Sequence, residues 1–213
     1  MPTRVKICGV TDADDLAMVV AAGADAVGFN FHPESPRYVP PERLTSLMAM
    51  LPPFVEPVGV WVSQPFVEVR ASMAPWPRLT TVQMHGEVEA ISGAYIPAFA
   101  PRDASDLERI DAYLNECRPL AVLIDGHAAG LHGGTGKTAP WELLEGWQPR
   151  VPLILAGGLT PENVGEAIRR LRPYAVDVAS GVEACPGRKC RDRVRQFMLA
   201  VRQANLSVLA ERD

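Results

Sequence analysis

Three side chains stand where parallel strands are predicted to end, and together they could carry out acid–base chemistry on a small anion. Cys8 closes the first apolar run of the chain, Asp125 follows four apolar residues, and Arg37 lies in the loop after the second apolar run. A thiolate can take up a proton, a carboxyl group can donate one, and a guanidinium binds a carboxylate through two parallel hydrogen bonds. In parallel α/β folds, ligands bind at that end of the strands.

Each of the three residues also has an ordinary structural interpretation. A cysteine at a strand end is often a small buried hydrophobe, a carboxylate there often caps a turn, and a lone arginine often forms a surface salt bridge. A functional role for Cys8 is favoured because Gly9 leaves room for a ligand and Lys6 lies two residues earlier. Burial would raise the pKa of Asp125, as a general acid near neutral pH requires.

Glycines follow the last two predicted strands, in AGGLT at 156–160 and ASGVE at 179–183. Backbone N–H groups of such turns form the usual phosphate site of an eight-stranded barrel, and they need no net positive charge. A third segment, GGTGKT at 133–138, looks like a nucleotide-binding loop, but Leu131 stands where that motif needs its first glycine. We therefore expect a phosphate at the last two strand ends and no ATP site.

Strand and helix patterns alternate along the whole chain. Short apolar runs without polar alternation suit strands that are buried on both faces. Helical patterns follow these runs, including a short piece at 87–92 and a last helix at 191–203. Eight strand–helix units predict an α/β fold, a single compact (β/α)8 TIM barrel over residues 1–213. The strands are predicted at 5–8, 26–31, 55–62, 79–84, 95–99, 121–124, 151–156 and 175–179.

The composition limits the partners and the location that we expect. The net charge of −4 offers no basic surface to nucleic acid, and no apolar run approaches the roughly 20 residues that span a membrane. The four cysteines and four histidines lack metal-ligand spacing, and Cys185 and Cys190 flank a predicted surface loop. No signal peptide is visible. We expect a cytoplasmic protein with reduced thiols, and a monomer because no long apolar surface helix stands out.

Short motifs in a fixed order carry a resemblance to a known family over nearly the whole chain. Together they resemble phosphoribosylanthranilate isomerase of tryptophan biosynthesis, a (β/α)8 barrel that works without a cofactor. The motifs are KICGVT at 6–11, SPRYV at 35–39, VGVWV at 58–62, VQMHG at 82–86, LID at 123–125, GGTGKT at 133–138, LAGGLTPENV at 155–164 and VDVASGVEACPG at 176–187.

The resemblance implies an Amadori rearrangement of N-(5'-phosphoribosyl)anthranilate, a small phosphorylated aminosugar, to 1-(2-carboxyphenylamino)-1-deoxyribulose 5-phosphate. It implies that Asp125 is the general acid, which protonates the ribose ring oxygen, and that Cys8 is the general base, which takes the proton from C2. The substrate-binding residues that it implies are Arg37 for the anthranilate carboxylate, Gly158, Ser180 and Gly181 for the phosphate, and Asp177 in the same mouth.

The sequence departs from the family pattern at a few positions. Asn30 replaces a usually apolar residue, Cys190 replaces an aspartate, and the fifth strand lacks a lysine that is often found there.

Two alternative functions could use the same barrel fold. An isomerase serving both histidine and tryptophan synthesis would typically carry two aspartates, but the first of those positions is Cys8. A non-catalytic barrel would have lost a catalytic residue, and none is lost.

Overall fold

The computed structural model describes residues 1–86, 93–126 and 141–210. Eight parallel strands pair in chain order, and β8 pairs with β1, so that the sheet closes into a barrel. The closure confirms the predicted (β/α)8 fold. The strands are Arg4–Cys8 (β1), Ala26–Asn30 (β2), Glu56–Val62 (β3), Thr81–His85 (β4), Tyr95–Phe99 (β5), Val122–Asp125 (β6), Leu153–Ala156 (β7) and Ala175–Val178 (β8).

Seven α-helices in the described residues follow strands of the barrel and pack outside it. No helix in this part of the chain is long and apolar enough to cross a membrane. Some features noted in the sequence lie outside the described residues. They are the predicted helical piece at 87–92, His127, His132 and the segment 133–138. The helices are Ala13–Ala22 (α1), Pro41–Met50 (α2), Phe66–Ser72 (α3), Ala104–Glu116 (α4), Trp141–Leu144 (α5), Val164–Leu171 (α6) and Arg191–Ala210 (α7).

The bounds of α1 follow directly from its sequence. The side chain of Asp12 accepts a hydrogen bond from the Asp15 N–H at 3.0 Å and so caps the first turn. Gly23 ends the helix in the left-handed conformation, with φ of +94°, and its N–H bonds to carbonyls of the last turn. Because these signals are local, the helical pattern in the sequence, which runs from Asp12 to about Ala22, predicts both ends of this helix nearly correctly.

Side-chain alternation separates the barrel interior from the layer that faces the helices. In β1, Val5 and Ile7 belong to the hydrophobic cluster shared with the helices, so Lys6 and Cys8 point inward. The interior is apolar along β5 to β7 and polar near β1, β4 and β8. The inward residues of the other strands include Gln83, Ile96, Leu123, Asp125, Ile154 and Asp177.

The chain after β8 differs from the prediction. The predicted surface loop at 185–190 is instead part of an antiparallel hairpin, Glu183–Cys185 (β9) and Arg188–Lys189 (β10). One turn of 3-10 helix, Ser180–Val182, precedes the hairpin. The last helix is also longer than predicted, since α7 continues to Ala210. The hairpin proves important because it supplies two buried charges beside the site.

Candidate active site

A cavity of about 300 Å³ opens at the carboxyl ends of the barrel strands. Cys8 is the last residue of β1 and Asp125 is the last residue of β6, and both line this cavity. In the closed sheet, β7 and β8 stand between these two strands, so the thiol and the carboxylate enter from different sides. A larger groove of about 630 Å³ lies outside the barrel between α1 and α7, and no predicted site residue lines it.

Cys8 stands above a buried ion pair. The Lys6 Nζ donates to Asp177 Oδ1 at 2.9 Å, and only 4% of Lys6 is exposed. Burial raises the pKa of the Cys8 thiol, the positive charge of Lys6 opposes that rise, and Asp177 adds to it. Burial also works against the ammonium of Lys6, but Asp177 and Cys8 outweigh it and raise its pKa. Lys6 therefore stays charged beside the thiol.

Gly28 of β2 provides the space that the Cys8 side chain occupies. The two residues are partners in the sheet register. A Cβ atom on Gly28 would lie 2.7 Å from the Cys8 Sγ and 3.1 Å from the Lys6 Nζ. The absence of a side chain at this position thus allows both the thiol and the ammonium to turn into the barrel mouth.

Arg37 reaches the cavity from the loop between β2 and α2. Ser35 Oγ accepts from the Arg37 N–H at 3.1 Å, and Asn30 Oδ1 accepts from the His32 N–H at 2.7 Å, so two side chains shape this loop. Asn30, one of the departures from the family pattern, therefore serves the loop that carries Arg37. The guanidinium forms a bidentate salt bridge with Glu183, through Nε at 2.8 Å and Nη2 at 2.6 Å.

Glu183 and Lys189 lie behind Arg37 and are nearly inaccessible to solvent. Burial opposes ionisation of Glu183, but Arg37 and Lys189 outweigh it and lower its pKa. The Lys189 side chain has no exposed surface, and its Nζ donates to Glu183 Oε1 at 2.9 Å and to the Cys8 carbonyl at 2.6 Å. Burial lowers the pKa of Lys189, and the charge of Glu183 opposes that effect. The hairpin thus holds both the arginine and the strand end that carries the thiol.

Asp125 lies against the glycine turn that follows β7. Gly157 has a positive φ of +82°, and a Cβ atom there would collide with the Asp125 carboxylate. The carboxylate therefore depends on glycine at this neighbouring position.

Gln83 and His85 of β4 also line the cavity, and they bond to each other at 2.8 Å between their Nε2 atoms. Burial lowers the pKa of His85, and the nearby Asp125 charge opposes that shift.

The glycine turns after β7 and β8 meet at the same rim. Gly158 also has a positive φ, of +64°, and Asn163 Nδ2 donates to its carbonyl at 2.9 Å. A Cβ atom on Gly181 would collide with the carbonyl of Leu159, so the two turns approach each other more closely than side chains would permit. Their backbones make one wall of the cavity, the place where the sequence predicts a phosphate.

The structure brings all predicted site residues to one cavity. Asp177 lines it but is already bonded to Lys6, so its carboxylate is only partly available to a substrate. The predicted site residues in the lining are Cys8, Arg37, Asp125, Gly158, Asp177, Ser180 and Gly181.

The sequence predicts no role for Glu183, Lys189, Gln83 or His85, and it points to Lys6 only as a neighbour of Cys8. Alternation could have revealed Lys6 and Gln83, because each is a polar residue between two apolar residues of a buried strand. Lysine usage is a second signal. The chain has three lysines, and two of them, Lys6 and Lys189, are buried at this site.

Comparisons with known proteins agree with this geometry. The sequence model of the family described as "N-(5'phosphoribosyl)anthranilate (PRA) isomerase" matches residues 5–200. The N-(5'-phosphoribosyl)anthranilate isomerase of Geobacter metallireducens is 45% identical over 200 residues, which cover 92% of this chain and 96% of that one. The corresponding protein of Geobacter sulfurreducens is 46% identical over 202 residues, with the same coverage.

Solved structures give the same result. The phosphoribosyl anthranilate isomerase from Thermotoga maritima has a TM-score of 0.84 at 39% identity, covering 94% of this chain and 99% of that one. A phosphoribosyl anthranilate isomerase in complex with reduced 1-(o-carboxyphenylamino)-1-deoxyribulose 5-phosphate has a TM-score of 0.80 at 37% identity, with the same coverage. The resemblance found in the sequence motifs is confirmed. The chain belongs to the N-(5'-phosphoribosyl)anthranilate isomerase family, the aldose–ketose isomerases of tryptophan biosynthesis.

Proposed function

We propose that Cys8 and Asp125 perform the proton transfers that convert N-(5'-phosphoribosyl)anthranilate to 1-(2-carboxyphenylamino)-1-deoxyribulose 5-phosphate. One observation supports this assignment above the others. A thiol and a carboxylate from β1 and β6 line one small cavity, with β7 and β8 between their strands. An isomerisation that opens a ring at one atom and deprotonates its neighbour needs an acid and a base that reach the sugar from different sides.

The first step is ring opening. The carboxyl group of Asp125 donates its proton to the ribose ring oxygen, and the bond between that oxygen and C1 breaks. The lone pair of the anthranilate nitrogen forms a double bond to C1, which gives a protonated Schiff base and a carboxylate on Asp125. His85 lies close enough to Asp125 to feel its charge, and the lowered pKa of this histidine keeps the imidazole neutral.

The second step removes the proton from C2. The thiolate of Cys8 takes this proton, the electrons of the C–H bond form the C1–C2 double bond, and the π electrons of the C1–N bond return to the nitrogen. The resulting enolamine then tautomerises to the ketone. Lys6 stays charged beside the sulfur, and its positive charge opposes the rise in the pKa of Cys8 that burial causes. No cofactor takes part in this sequence, because every step is a proton transfer or a shift of electron pairs within the substrate.

Anchors at both ends would hold the substrate. The guanidinium of Arg37 suits the anthranilate carboxylate, and the backbone turns at Gly158, Ser180 and Gly181 suit the phosphate. Asp177 is assigned to the cavity floor, where it fixes Lys6. With the substrate held at its two ends, C1 and C2 would lie between the acid and the base.

Anthranilate fluorescence provides the direct test. Freshly prepared N-(5'-phosphoribosyl)anthranilate is mixed with the wild type, with Cys8→Ala and with Cys185→Ala, an exposed cysteine of the hairpin that serves as the control. We expect rapid loss of the signal with the wild type and with Cys185→Ala, and almost none with Cys8→Ala. Near-native turnover by Cys8→Ala would remove this residue from the mechanism, and a folded but inactive wild type would refute the proposed reaction.

We further propose that residues 1–213 form one domain, that the chain acts in the cytoplasm, and that it is a monomer. The exposed leucines of α7, Leu199, Leu206 and Leu209, are the feature of that helix that challenges the monomer. Sedimentation at several protein concentrations tests it. A constant sedimentation coefficient of a 23.1 kDa particle is expected, and a tight dimer would contradict the proposal.

A further inference from the structure

Three charged side chains run from the hairpin after β8 to the wall of the cavity. The Lys189 Nζ lies 2.9 Å from Glu183 Oε1, and the two oxygens of Glu183 accept from Arg37 Nε and Nη2 at 2.8 and 2.6 Å. Only Arg37 lines the cavity, and the other two lie behind it. The carboxylate of Glu183 is 4% exposed. A substrate would therefore meet the guanidinium, while the groups that orient it stay out of reach.

The contact with Glu183 uses one side of the guanidinium and leaves another side available. Glu183 occupies the side formed by Nε and Nη2. Among the described residues, Nη1 of Arg37 has no hydrogen-bond partner. Nη1 and the second hydrogen of Nη2 form an end-on pair of donors with the spacing of a carboxylate. Arg37 can thus bind Glu183 and a substrate carboxylate at the same time, provided that its plane is fixed.

The loop that carries Arg37 rests on the turn of the same hairpin. A Cβ atom on Gly187 would lie 2.6 Å from the carbonyl oxygen of Pro36, so the two backbones are in close contact. Thr11 Oγ1 donates to the Gly187 carbonyl at 2.8 Å. The stem of Arg37 itself lies against Gly9, where a side chain would collide with it. The hairpin therefore fixes the backbone of the arginine as well as its head group.

Lys189 connects this arrangement to the thiol. Its Nζ also donates to the main-chain carbonyls of Cys8 at 2.6 Å and Ala179 at 3.2 Å. The distance between the end of β1 and the carboxylate of Glu183 is consequently set by one fully buried ammonium. Two cations and one anion leave a net positive charge, and that charge is presented to the cavity by Arg37.

We propose that Glu183 and Lys189 are positioning residues that make the site selective for a substrate carrying a carboxylate on its aromatic ring. Glu183 holds the guanidinium of Arg37 with its end-on edge toward the cavity, and Lys189 holds Glu183 in register with Cys8. The inference rests on the proposed function, since it requires Arg37 to bind the anthranilate carboxylate. Neither residue touches the substrate, so both act through Arg37.

The test compares two stable ligands that differ only in the carboxylate. One is reduced 1-(o-carboxyphenylamino)-1-deoxyribulose 5-phosphate, and the other is the same compound with a phenylamino group. Dissociation constants are measured by calorimetry for the wild type, Glu183→Gln and Arg37→Ala. Arg188→Gln, which removes an exposed arginine of the same hairpin, is the matched control.

We expect Glu183→Gln to weaken binding of the carboxylated ligand by about 10- to 100-fold, which corresponds to the loss of one well-oriented charge-assisted contact. Binding of the ligand without the carboxylate should change by less than about 3-fold. Arg37→Ala should remove the same discrimination, and the double variant Glu183→Gln with Arg37→Ala should be no worse than Arg37→Ala alone. Arg188→Gln should bind both ligands like the wild type.

The outcomes distinguish a failure of this inference from a failure of the proposed function. Equal weakening of both ligands by Glu183→Gln would show a merely structural role and overturn the inference. Retained discrimination in Glu183→Gln, together with its loss in Arg37→Ala, would overturn the inference and leave Arg37 as the anchor. A wild type that binds neither ligand would instead refute the proposed function.

A second variant keeps the test decisive if Glu183→Gln unfolds because Lys189 is left unpaired. In Glu183→Gln with Lys189→Met, both buried charges are removed and the single positive charge of Arg37 remains. This variant should lose discrimination as Glu183→Gln does, whereas preserved discrimination would overturn the inference. Circular dichroism confirms that each variant is folded before binding is measured.

Discussion

Lys6 and Asp177 form an ion pair in the floor of the cavity, with 2.9 Å between Nζ and Oδ1, and both charges act on the thiol of Cys8. They act in opposite directions, because the ammonium favours the thiolate and the carboxylate opposes it. Burial adds to the effect of the carboxylate, so the pKa of Cys8 lies above the usual value for a cysteine. The ion pair therefore adjusts the fraction of Cys8 that is thiolate, the form that the proposed mechanism requires.

The rate should rise with pH if Cys8 works as a thiolate. Because its pKa is raised, the thiolate is the minor form at neutral pH, and its fraction grows as the pH increases. We expect kcat/KM to increase from about pH 6 to 9. Lys6→Met should move this limb to higher pH and Asp177→Asn should move it to lower pH. Full pH profiles of the three proteins test the prediction, and an unchanged limb in both variants would contradict it.

Asp125→Asn should abolish most turnover and leave ligand binding nearly unchanged. The amide has the size of the carboxyl group and fits beside Gly157, but it cannot donate a proton to the ring oxygen. We expect kcat to fall by about 10²- to 10⁴-fold, the usual contribution of a general acid. Binding of the reduced product analogue should stay near the wild-type value. Turnover close to that of the wild type would exclude Asp125 as the acid.

Arg37→Ala should act mainly on substrate affinity. The variant removes the proposed partner of the anthranilate carboxylate, so we expect KM to rise by about 10- to 100-fold with a smaller change in kcat. Steady-state kinetics measure the split between the two constants. Arg102→Ala, which removes an exposed arginine at the start of α4, is the control. Unchanged affinity in Arg37→Ala would show that the carboxylate is bound elsewhere.

Gly28→Ala should impair the site because its methyl group would fill space that the Cys8 side chain occupies. The added methyl group would stand 2.7 Å from the Cys8 Sγ, and relief would require the thiol or the backbone of β2 to move. We expect a loss of about 1–3 kcal/mol in the free energy of unfolding, measured in urea, together with lower kcat. Gly165→Ala in α6 is the control, since its nearest neighbour would lie 3.4 Å away. Native stability and rate in Gly28→Ala would contradict this account.

The placement of Cys8 and Asp125 could be predicted from the sequence because strand ends are local features. Each residue follows an apolar run, and a closed parallel sheet brings all such ends to one rim. The predicted bounds of the strands agree with the structure to within about two residues, as capping and turn signals allow. The pattern of apolar runs therefore predicts which residues lie at the cavity.

The partners of these residues could not be predicted in the same way. The contact between Arg37 and Glu183 joins positions 146 residues apart, and the contact between Lys189 and Cys8 joins positions 181 residues apart. Both depend on a hairpin of five strand residues, which is too short to leave a periodic pattern. The scarcity of lysine was a compositional signal for these partners, since two of the three lysines are buried at the site.

The bond between Lys189 and the carbonyl of Cys8 also determines at which stage of synthesis the site can form. The thiol lies at the end of β1, whereas the ammonium that ties this strand to the arginine belongs to the hairpin after β8, 181 residues later in the chain. A nascent polypeptide therefore carries the thiol of Cys8 long before it has the buried charges that hold this strand end in place. All eight strands and the hairpin must therefore be synthesised before the described site can form.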